Sequence, residues 1–127
     1  MIRAIAIAGA VAIGLLGRPA FTQSEPTNPV RATPASVADG RTQYNVRCVS
    51  CHGETGKGDG KAGSRGMAPK PSNLTDSVWK HGATDGDIYS VISDGVANTG
   101  MVAFSKKGMT ATDIWNVVNY VRTLRKR

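Results

Sequence analysis

The feature that most constrains this chain is its only pair of cysteines, which lie three positions apart in the run R-C-V-S-C-H. Two cysteines so close together cannot close the long loops of a disulfide framework, so Cys48 and Cys51 form one local site. His52 follows directly and adds an imidazole to the two thiols. The fold must therefore accommodate whatever these three neighbouring side chains bind.

The C-x-x-C-H pattern is the attachment pattern of c-type haem. Thiols about one helical turn apart can reach the two vinyl groups on one edge of a porphyrin, and the next residue can then present its imidazole to the iron. The pattern predicts one covalent haem c, attached at Cys48 and Cys51 and ligated by His52. A chain of 127 residues that is 6% aromatic would then draw part of its core from an apolar cofactor.

The cysteine pair has three alternative interpretations. A thioredoxin-like dithiol is typically found in a βαβ context with Gly-Pro between the cysteines, whereas Val49 and Ser50 stand there. A zinc site could use both cysteines with His52 and His81, but adjacent Cys and His residues seldom point at one small ion. A chance match to the pattern is the third.

A second axial ligand to the iron has four candidates: Met67, Met101, Met109 and His81. Met101 is the best placed, because it follows Gly100 in a loop between two predicted helices and can cross to the face opposite His52. Met109 adjoins a helix start and is expected to pack in the core. A thioether ligand favours ferrous iron and raises the reduction potential.

The first 22 residues indicate a secretory leader. The apolar run at residues 4–17 is shorter than the roughly 20 residues of a membrane-spanning helix. Residues 23–35 hold three prolines and few apolar side chains, which is typical of a linker. We expect a signal peptide at 1–22, a Pro-rich linker at 23–35, one domain at 36–127 and a periplasmic location.

The domain is predicted to be all-α. Helices are expected to begin near Ser36, Thr84 and Thr110, each followed three residues later by an aspartate in a capping-box-like arrangement. Glycines and prolines in residues 53–73 forbid a long regular element there, and a loop of this length is usually functional. The apolar helical positions are Val37, Gly40, Tyr44 and Cys48, then Ile88, Val91 and Ile92, and finally Ile114, Val117, Val118, Val121 and Leu124.

The net charge of +7 indicates partners with acidic surfaces rather than nucleic acid, because basic and aromatic residues are not interleaved. Contact with a membrane is expected only through a partner complex. Basic residues that could surround the haem edge are Lys57, Lys61, Arg65, Lys106 and Lys107. An ordinary solvated surface would account for these charges equally well.

Residues 38–124 resemble a class I cytochrome c, in particular the monohaem modules of the third subunit of cbb-type haem–copper oxidases and of periplasmic dehydrogenase chains. The resemblance lies in A-D-G-R-T-Q-Y-N-V-R-C-V-S-C-H-G, G-K-G-D-G, P-K-P-S-N-L-T-D-S-V-W-K-H-G, T-D-G-D-I-Y-S-V-I-S-D-G, T-G-M-V-A-F and D-I-W-N-V-V-N-Y-V-R-T-L. One departure is Val102, where the family usually has proline after the methionine; proline would stiffen the loop.

The resemblance implies a small cytochrome c fold wrapped around one haem, with Met101 as the second axial ligand. It also implies that the first helix crosses the last one, and that a carbonyl of Pro69 or Pro71 accepts the second N–H of His52. The implied function is single-electron carriage rather than catalysis. A cytochrome subunit held permanently by a dehydrogenase or oxidase is the alternative.

Overall fold

The computed structural model describes residues 26–126, and the expected signal peptide at 1–22 lies outside them. The described chain contains helices and turns but no strand, which confirms the all-α prediction. The elements are α1 (Pro34–Arg47), α2 (Val49–His52), α3 (Asp85–Asp94), a 3₁₀ turn (Ser105–Lys107) and α4 (Ala111–Leu124).

Helix α1 begins two residues before the predicted Ser36. Thr33 is the N-cap and accepts a hydrogen bond from the Ser36 N–H through its hydroxyl, while Pro34 occupies the first helical position. Proline suits that position because its missing N–H would have no partner in the helix. The Ser36 hydroxyl instead donates to Asn116 Oδ1 at 2.7 Å. Ser36 therefore joins α1 to α4 rather than capping its own helix.

The crossing of α1 and α4 is the centre of the fold, as the resemblance implied. Gly40 lies so close to α4 that a Cβ placed there would be 2.0 Å from the Asn116 carbonyl oxygen. Any larger residue would push the helices apart. One turn along α1, Tyr44 is fully buried and meets Tyr120 edge to face, with ring centroids 5.1 Å apart. These contacts fix the C-terminal end of α1, from which the cysteines follow.

Helix α3 packs beside α4 through Tyr89 and Trp115, whose rings stack 4.1 Å apart. Its capping box, Thr84 with Asp87, is formed as predicted, and Gly95 ends it. An ion pair of 2.6 Å between Arg122 and Asp85 adds a peripheral link between α4 and α3. Helix α3 is thereby held where the Met101 loop departs from it.

The segment 23–35 was predicted to be a linker, but the part of it that the structure describes, residues 26–35, packs against the helices. Asn28 Nδ2 donates to Asn119 Oδ1 at 2.8 Å, and Asn119 Nδ2 donates to the Val30 carbonyl at 3.0 Å. Pro26 approaches Gly86 of α3, and Pro34 already belongs to α1. The prolines and polar residues of this segment suggested a solvated linker. Instead, the side chains of Asn28 and Asn119 supply the hydrogen bonds that hold the segment against α4.

The start of α4 provides a stability prediction. Thr110 accepts from the Asp113 N–H at 3.1 Å, and Asp113 Oδ2 accepts from the Thr110 N–H at 2.9 Å. Thr110→Ala removes the capping hydroxyl, so we expect the free energy of unfolding to fall by about 1 kcal/mol. Guanidinium denaturation followed by circular dichroism measures it, with Thr110→Ser as the control that keeps the hydroxyl. An unchanged denaturation midpoint in Thr110→Ala would contradict the capping role.

The same cap gives the pH dependence a definite sign. Hydrogen bonds from the Thr110 hydroxyl and backbone N–H hold the pKa of Asp113 below its usual range. A carboxyl with a lowered folded pKa stabilises the fold above its unfolded pKa, and the contribution is lost as pH falls through the folded pKa. Asp113→Asn should therefore be less stable than the wild type near neutrality and equally stable in strong acid.

Candidate functional site

A deep apolar cavity opens between the end of α1, α3, α4 and the two long loops, with a volume of about 1200 Å³ including its mouth. The lining is mainly apolar, which suits an apolar group. The cavity brings together residues that are far apart in the sequence: Tyr44, Cys48, Cys51, His52, Met67, Pro71, Ser72, Leu74, Trp79, His81, Ile88, Ile92, Thr99, Met101, Phe104, Val117 and Val121 among them.

The two cysteines lie at the junction of α1 and α2, and both line the cavity. Burial raises the pKa of the Cys48 thiol to about 12, with Arg47 lowering it and Cys51 raising it by smaller amounts. A dithiol that exchanges disulfides depends on a lowered pKa that favours the thiolate. The environment of Cys48 does the opposite, which argues against the thioredoxin-like alternative.

The His52 ring is oriented by a backbone carbonyl, as the resemblance implied, but the carbonyl belongs to Ser72. The distance from His52 Nδ1 to the Ser72 oxygen is 3.1 Å. A carbonyl can only accept, so Nδ1 carries the proton and Nε2 keeps its lone pair. The expectation of Pro69 or Pro71 was wrong, because the accepting carbonyl is that of Ser72, the residue after Pro71.

Burial lowers the pKa of His52, while the hydrogen bond to the Ser72 carbonyl raises it by less. The imidazole is therefore held in its neutral form around neutral pH. A neutral ring with Nδ1 donating and Nε2 free is the form in which histidine binds metals.

The glycine-rich loop after His52 covers the end of α2, where helix carbonyls would lack partners. Gly58 N–H donates to the His52 carbonyl at 2.8 Å, and Gly60 N–H donates to the Cys51 carbonyl at 3.2 Å. A Cβ on Gly60 would lie 2.5 Å from the Ser50 oxygen. Tyr44 adds a bond of 2.8 Å from its hydroxyl to the Gly53 carbonyl. The loop predicted to be functional thus fixes the backbone that carries Cys51 and His52.

Of the four candidates for a second axial ligand, the structure brings Met101, Met67 and His81 into the cavity lining. Met101 is half-buried and lies on the 96–104 loop, which α3 and the 3₁₀ turn bound. Met109 does not line the cavity and is buried in the core with 5% exposure, as predicted. Met67 and Met101 are thus the two thioethers at the cavity, and Met67 lies against Gly100, the neighbour of Met101.

Trp79 is a cavity residue whose role the sequence did not reveal. Its Nε1 is buried without a hydrogen-bond partner in the described chain, and burying such a donor is costly. Arg125 stacks over the indole, 5.4 Å from the ring centroid. A haem carries propionate groups that can accept from such a donor, so this residue fits the cofactor that the cysteines indicate. The W-K-H run could have drawn attention to it.

The basic residues at the cavity differ from those proposed from the sequence. Lys57, Lys61, Arg65, Lys106 and Lys107 do not line the cavity, whereas Arg47, Lys70 and Lys80 do. Lys107 is near the site only through its carbonyl oxygen, which accepts from Arg47 at 3.3 Å. Proximity in sequence to His52 was therefore a poor guide to which basic side chains line the cavity.

Two further observations concern metal-binding groups and membrane-spanning helices. Within residues 26–126, no three His, Cys, Asp or Glu side chains form a group that could hold a metal ion. Within the same residues, no helix has both the length and the apolar character to cross a membrane.

Comparison with known proteins agrees with this site. Residues 37–125 match the family described as Cytochrome c. The chain is 34% identical over 103 residues to the Cbb3-type cytochrome c oxidase subunit CcoP of Azospirillum brasilense, covering 72% of this chain and 32% of the relative. It is 29% identical to Cytochrome c-554(547) of Halothiobacillus neapolitanus, covering 70% of this chain and 97% of the relative.

Among solved structures, a chain of the Kuenenia stuttgartiensis reducing HAO-like protein complex superposes with a TM-score of 0.71 and 28% identity. The alignment covers 77% of this chain and 47% of that one. This chain spans about a third of the length of the oxidase subunits that it matches. The family match, the helical fold and the two-cysteine site agree: this chain belongs to the cytochrome c family and holds one covalently bound haem c.

Proposed function

We propose that this chain carries single electrons in the periplasm through a haem joined to Cys48 and Cys51 and ligated by His52 and Met101. The observation that carries the proposal is that all four side chains line one apolar cavity although Met101 is distant in sequence. When bound, the haem supplies reversible one-electron exchange between ferric and ferrous iron. The signal peptide at 1–22 and the single domain that follows it belong to the same proposal.

The residues of the chain would hold the cofactor in one geometry in both redox states. The Ser72 carbonyl fixes the His52 ring, and the 96–104 loop presents Met101. The apolar side chains of Ile88, Ile92 and Val117 exclude water from the cavity. If His52 and Met101 both bind the iron, a substrate would have no open coordination site, which favours electron carriage over oxygen or peroxide chemistry.

A permanently bound subunit of a dehydrogenase or terminal oxidase is the second candidate. It is favoured by the names of the relatives, which include oxidase subunits and a protein complex. Against it, the large apolar side chains exposed in residues 26–126 are Val46, Val78 and Val102, which lie on three different segments. Apolar residues exposed singly are normal on a protein surface and do not indicate a permanent interface.

Voltammetry of the purified holoprotein on an electrode tests electron carriage. We expect a reversible one-electron wave whose current does not grow when oxygen or peroxide is added. A catalytic current would overturn the proposal. Size-exclusion chromatography of the native extract separates the two candidates. A free carrier elutes at the mass of the mature chain with its haem, below the 13.3 kDa of the full sequence, and a bound subunit elutes with a large complex.

The basic residues at the cavity mouth lead to a prediction on electron-transfer rates. Lys70 and Lys80 line the cavity and are exposed, so oxidation of the reduced protein by anionic hexacyanoferrate(III) should slow several-fold as salt screens the attraction. Stopped-flow mixing at increasing ionic strength measures the rate. The double variant Lys70→Gln/Lys80→Gln should lose much of this salt dependence.

The matched control removes the same charge elsewhere. Lys57→Gln/Lys61→Gln should leave the salt dependence close to that of the wild type, because these side chains lie outside the cavity lining. Equal effects of the two double variants would mean that net charge alone steers the oxidant. A basic cavity mouth would also suit a protein partner with an acidic docking surface.

A further inference from the structure

The loop that carries Met101 is held by hydrogen bonds, without a residue that stiffens the chain after the methionine. Val102 follows Met101 and is 44% exposed, so neither a ring nor burial fixes the backbone at that point. The loop must nevertheless keep Met101 directed into the cavity. The contacts of its first half show how this is achieved.

The hydroxyl of Thr99 bonds to two parts of the loop. It donates to the Val96 carbonyl at 2.8 Å and accepts from the Met101 N–H at 3.0 Å. The Val96 N–H in turn donates to the Met101 carbonyl at 2.9 Å. Both backbone polar groups of Met101 are therefore engaged, one by Thr99 and one by Val96. The three residues form a closed ring of hydrogen bonds around the turn.

The turn that contains this ring of hydrogen bonds includes one residue with an unusual backbone conformation. Asn98 has a φ of 59°, in the left-handed region that asparagine tolerates better than most residues. The Thr99 bonds offset the cost of this turn. Beyond the turn, the Phe104 N–H donates to the Ile92 carbonyl at 3.0 Å and anchors the far end of the loop to α3.

Met67 packs against the same loop. A Cβ on Gly100 would lie 2.5 Å from Met67 Sδ, so the thioether of Met67 rests directly on the backbone next to Met101. Both Thr99 and Gly100 line the cavity. The segment from Thr99 to Met101 is therefore held both by the Thr99 hydroxyl and by packing against Met67.

We propose that Thr99 is a positioning residue that keeps Met101 on the iron. The inference rests on the proposed ligation by Met101. Without the hydroxyl, the Met101 N–H and the Val96 carbonyl lose a partner in a half-buried turn, and the loop opens more often. Each opening frees the axial position, so Thr99 sets how well the carrier excludes external ligands.

The test uses the mature holoprotein with three substitutions. Thr99→Val keeps the shape of the side chain and removes the hydroxyl, Thr99→Ser keeps the hydroxyl, and Met101→Ala removes the ligand itself. Binding of cyanide to the ferric form, in excess, is limited by how often the axial position opens. We expect Thr99→Val to bind cyanide about tenfold faster than wild type, which corresponds to about 1.4 kcal/mol.

A second readout separates positioning from general stability. The near-infrared sulfur-to-iron charge-transfer band of Thr99→Val should be present at room temperature but disappear at a lower temperature than in the wild type. The unfolding transition followed by far-ultraviolet circular dichroism should move much less. Thr99→Ser should resemble the wild type in both measurements.

The outcomes are distinct. If Thr99→Val binds cyanide at the wild-type rate while Met101→Ala binds it quickly, the role of Thr99 is refuted and the proposed ligation stands. If Thr99→Ser is as fast as Thr99→Val, the hydroxyl is not the cause and the role of Thr99 is again refuted. If Met101→Ala leaves cyanide binding unchanged, the ligation itself is wrong.

Discussion

Replacing Cys48 and Cys51 together by alanine should abolish covalent haem. The two residues are the only thiols of the chain, and both line the cavity. Haem staining after denaturing electrophoresis measures the attachment, and the expected signal is zero. The chain without haem should also lose most of its helical circular dichroism, because a group bound only by the folded state stabilises it.

Ser50 offers the matched control for this experiment. It lies between the cysteines, is exposed, and its hydroxyl is 3.9 Å from Cys51 Sγ. Ser50→Ala should keep full haem staining. Staining retained by the double cysteine variant would contradict the covalent site, whatever the spectrum of the protein.

Replacing Met101 by alanine should change the iron from low spin to a high-spin or water-ligated ferric state. The sulfur-to-iron band should vanish, and the reduction potential should fall by an amount on the order of 0.1 V, since axial ligands set haem potentials over about 0.8 V. Near-infrared absorption and a redox titration measure these two effects. Cyanide and carbon monoxide should bind to the variant readily.

The controls for Met101 are the other methionines. Met109 is buried in the core away from the cavity, and Met109→Leu should leave the spectrum unchanged. Met67→Ala should leave the resting spectrum nearly unchanged as well. Because Met67 rests on Gly100, it is the first alternative ligand if Met101→Ala retains the band.

The parts of the fold that the sequence predicted best are those with a local chemical signature. Thr84 with Asp87 and Thr110 with Asp113 form the capping boxes that the sequence indicated, because each pair meets within one helical turn. The start of α1 was predicted two residues late, since Ser36 and Asp39 resemble a cap. The true cap is Thr33 before Pro34, and Ser36 bonds Asn116 across the helix crossing.

The errors concern contacts between distant segments, which spacing alone does not determine. Asn28 lies in a segment whose composition is typical of a linker, yet its side chain donates a hydrogen bond to Asn119. Ser72, not a proline, accepts from His52, although Pro71 is its neighbour in the sequence. Lys70 and Lys80 reach the cavity mouth, whereas lysines nearer to His52 in sequence do not.

The cavity residues also divide into those that a local sequence pattern predicted and those that only the folded structure revealed. Cys48, Cys51 and His52 form a motif that is visible in the sequence itself. Trp79 and Thr99 lie in stretches that resemble the family, but their roles depend on a buried N–H and on a loop turn respectively. Such roles become visible only when the partners of each polar atom can be counted.

The mass of the intact purified protein, measured under denaturing conditions, tests the central claim most directly. The claim predicts a mass equal to the polypeptide, with its N-terminus determined by sequencing, plus one haem. It also predicts that no thiol reacts with iodoacetamide, because both Cys48 and Cys51 are used in thioether bonds. A mass equal to the polypeptide alone, with two alkylated cysteines, would contradict covalent haem attachment.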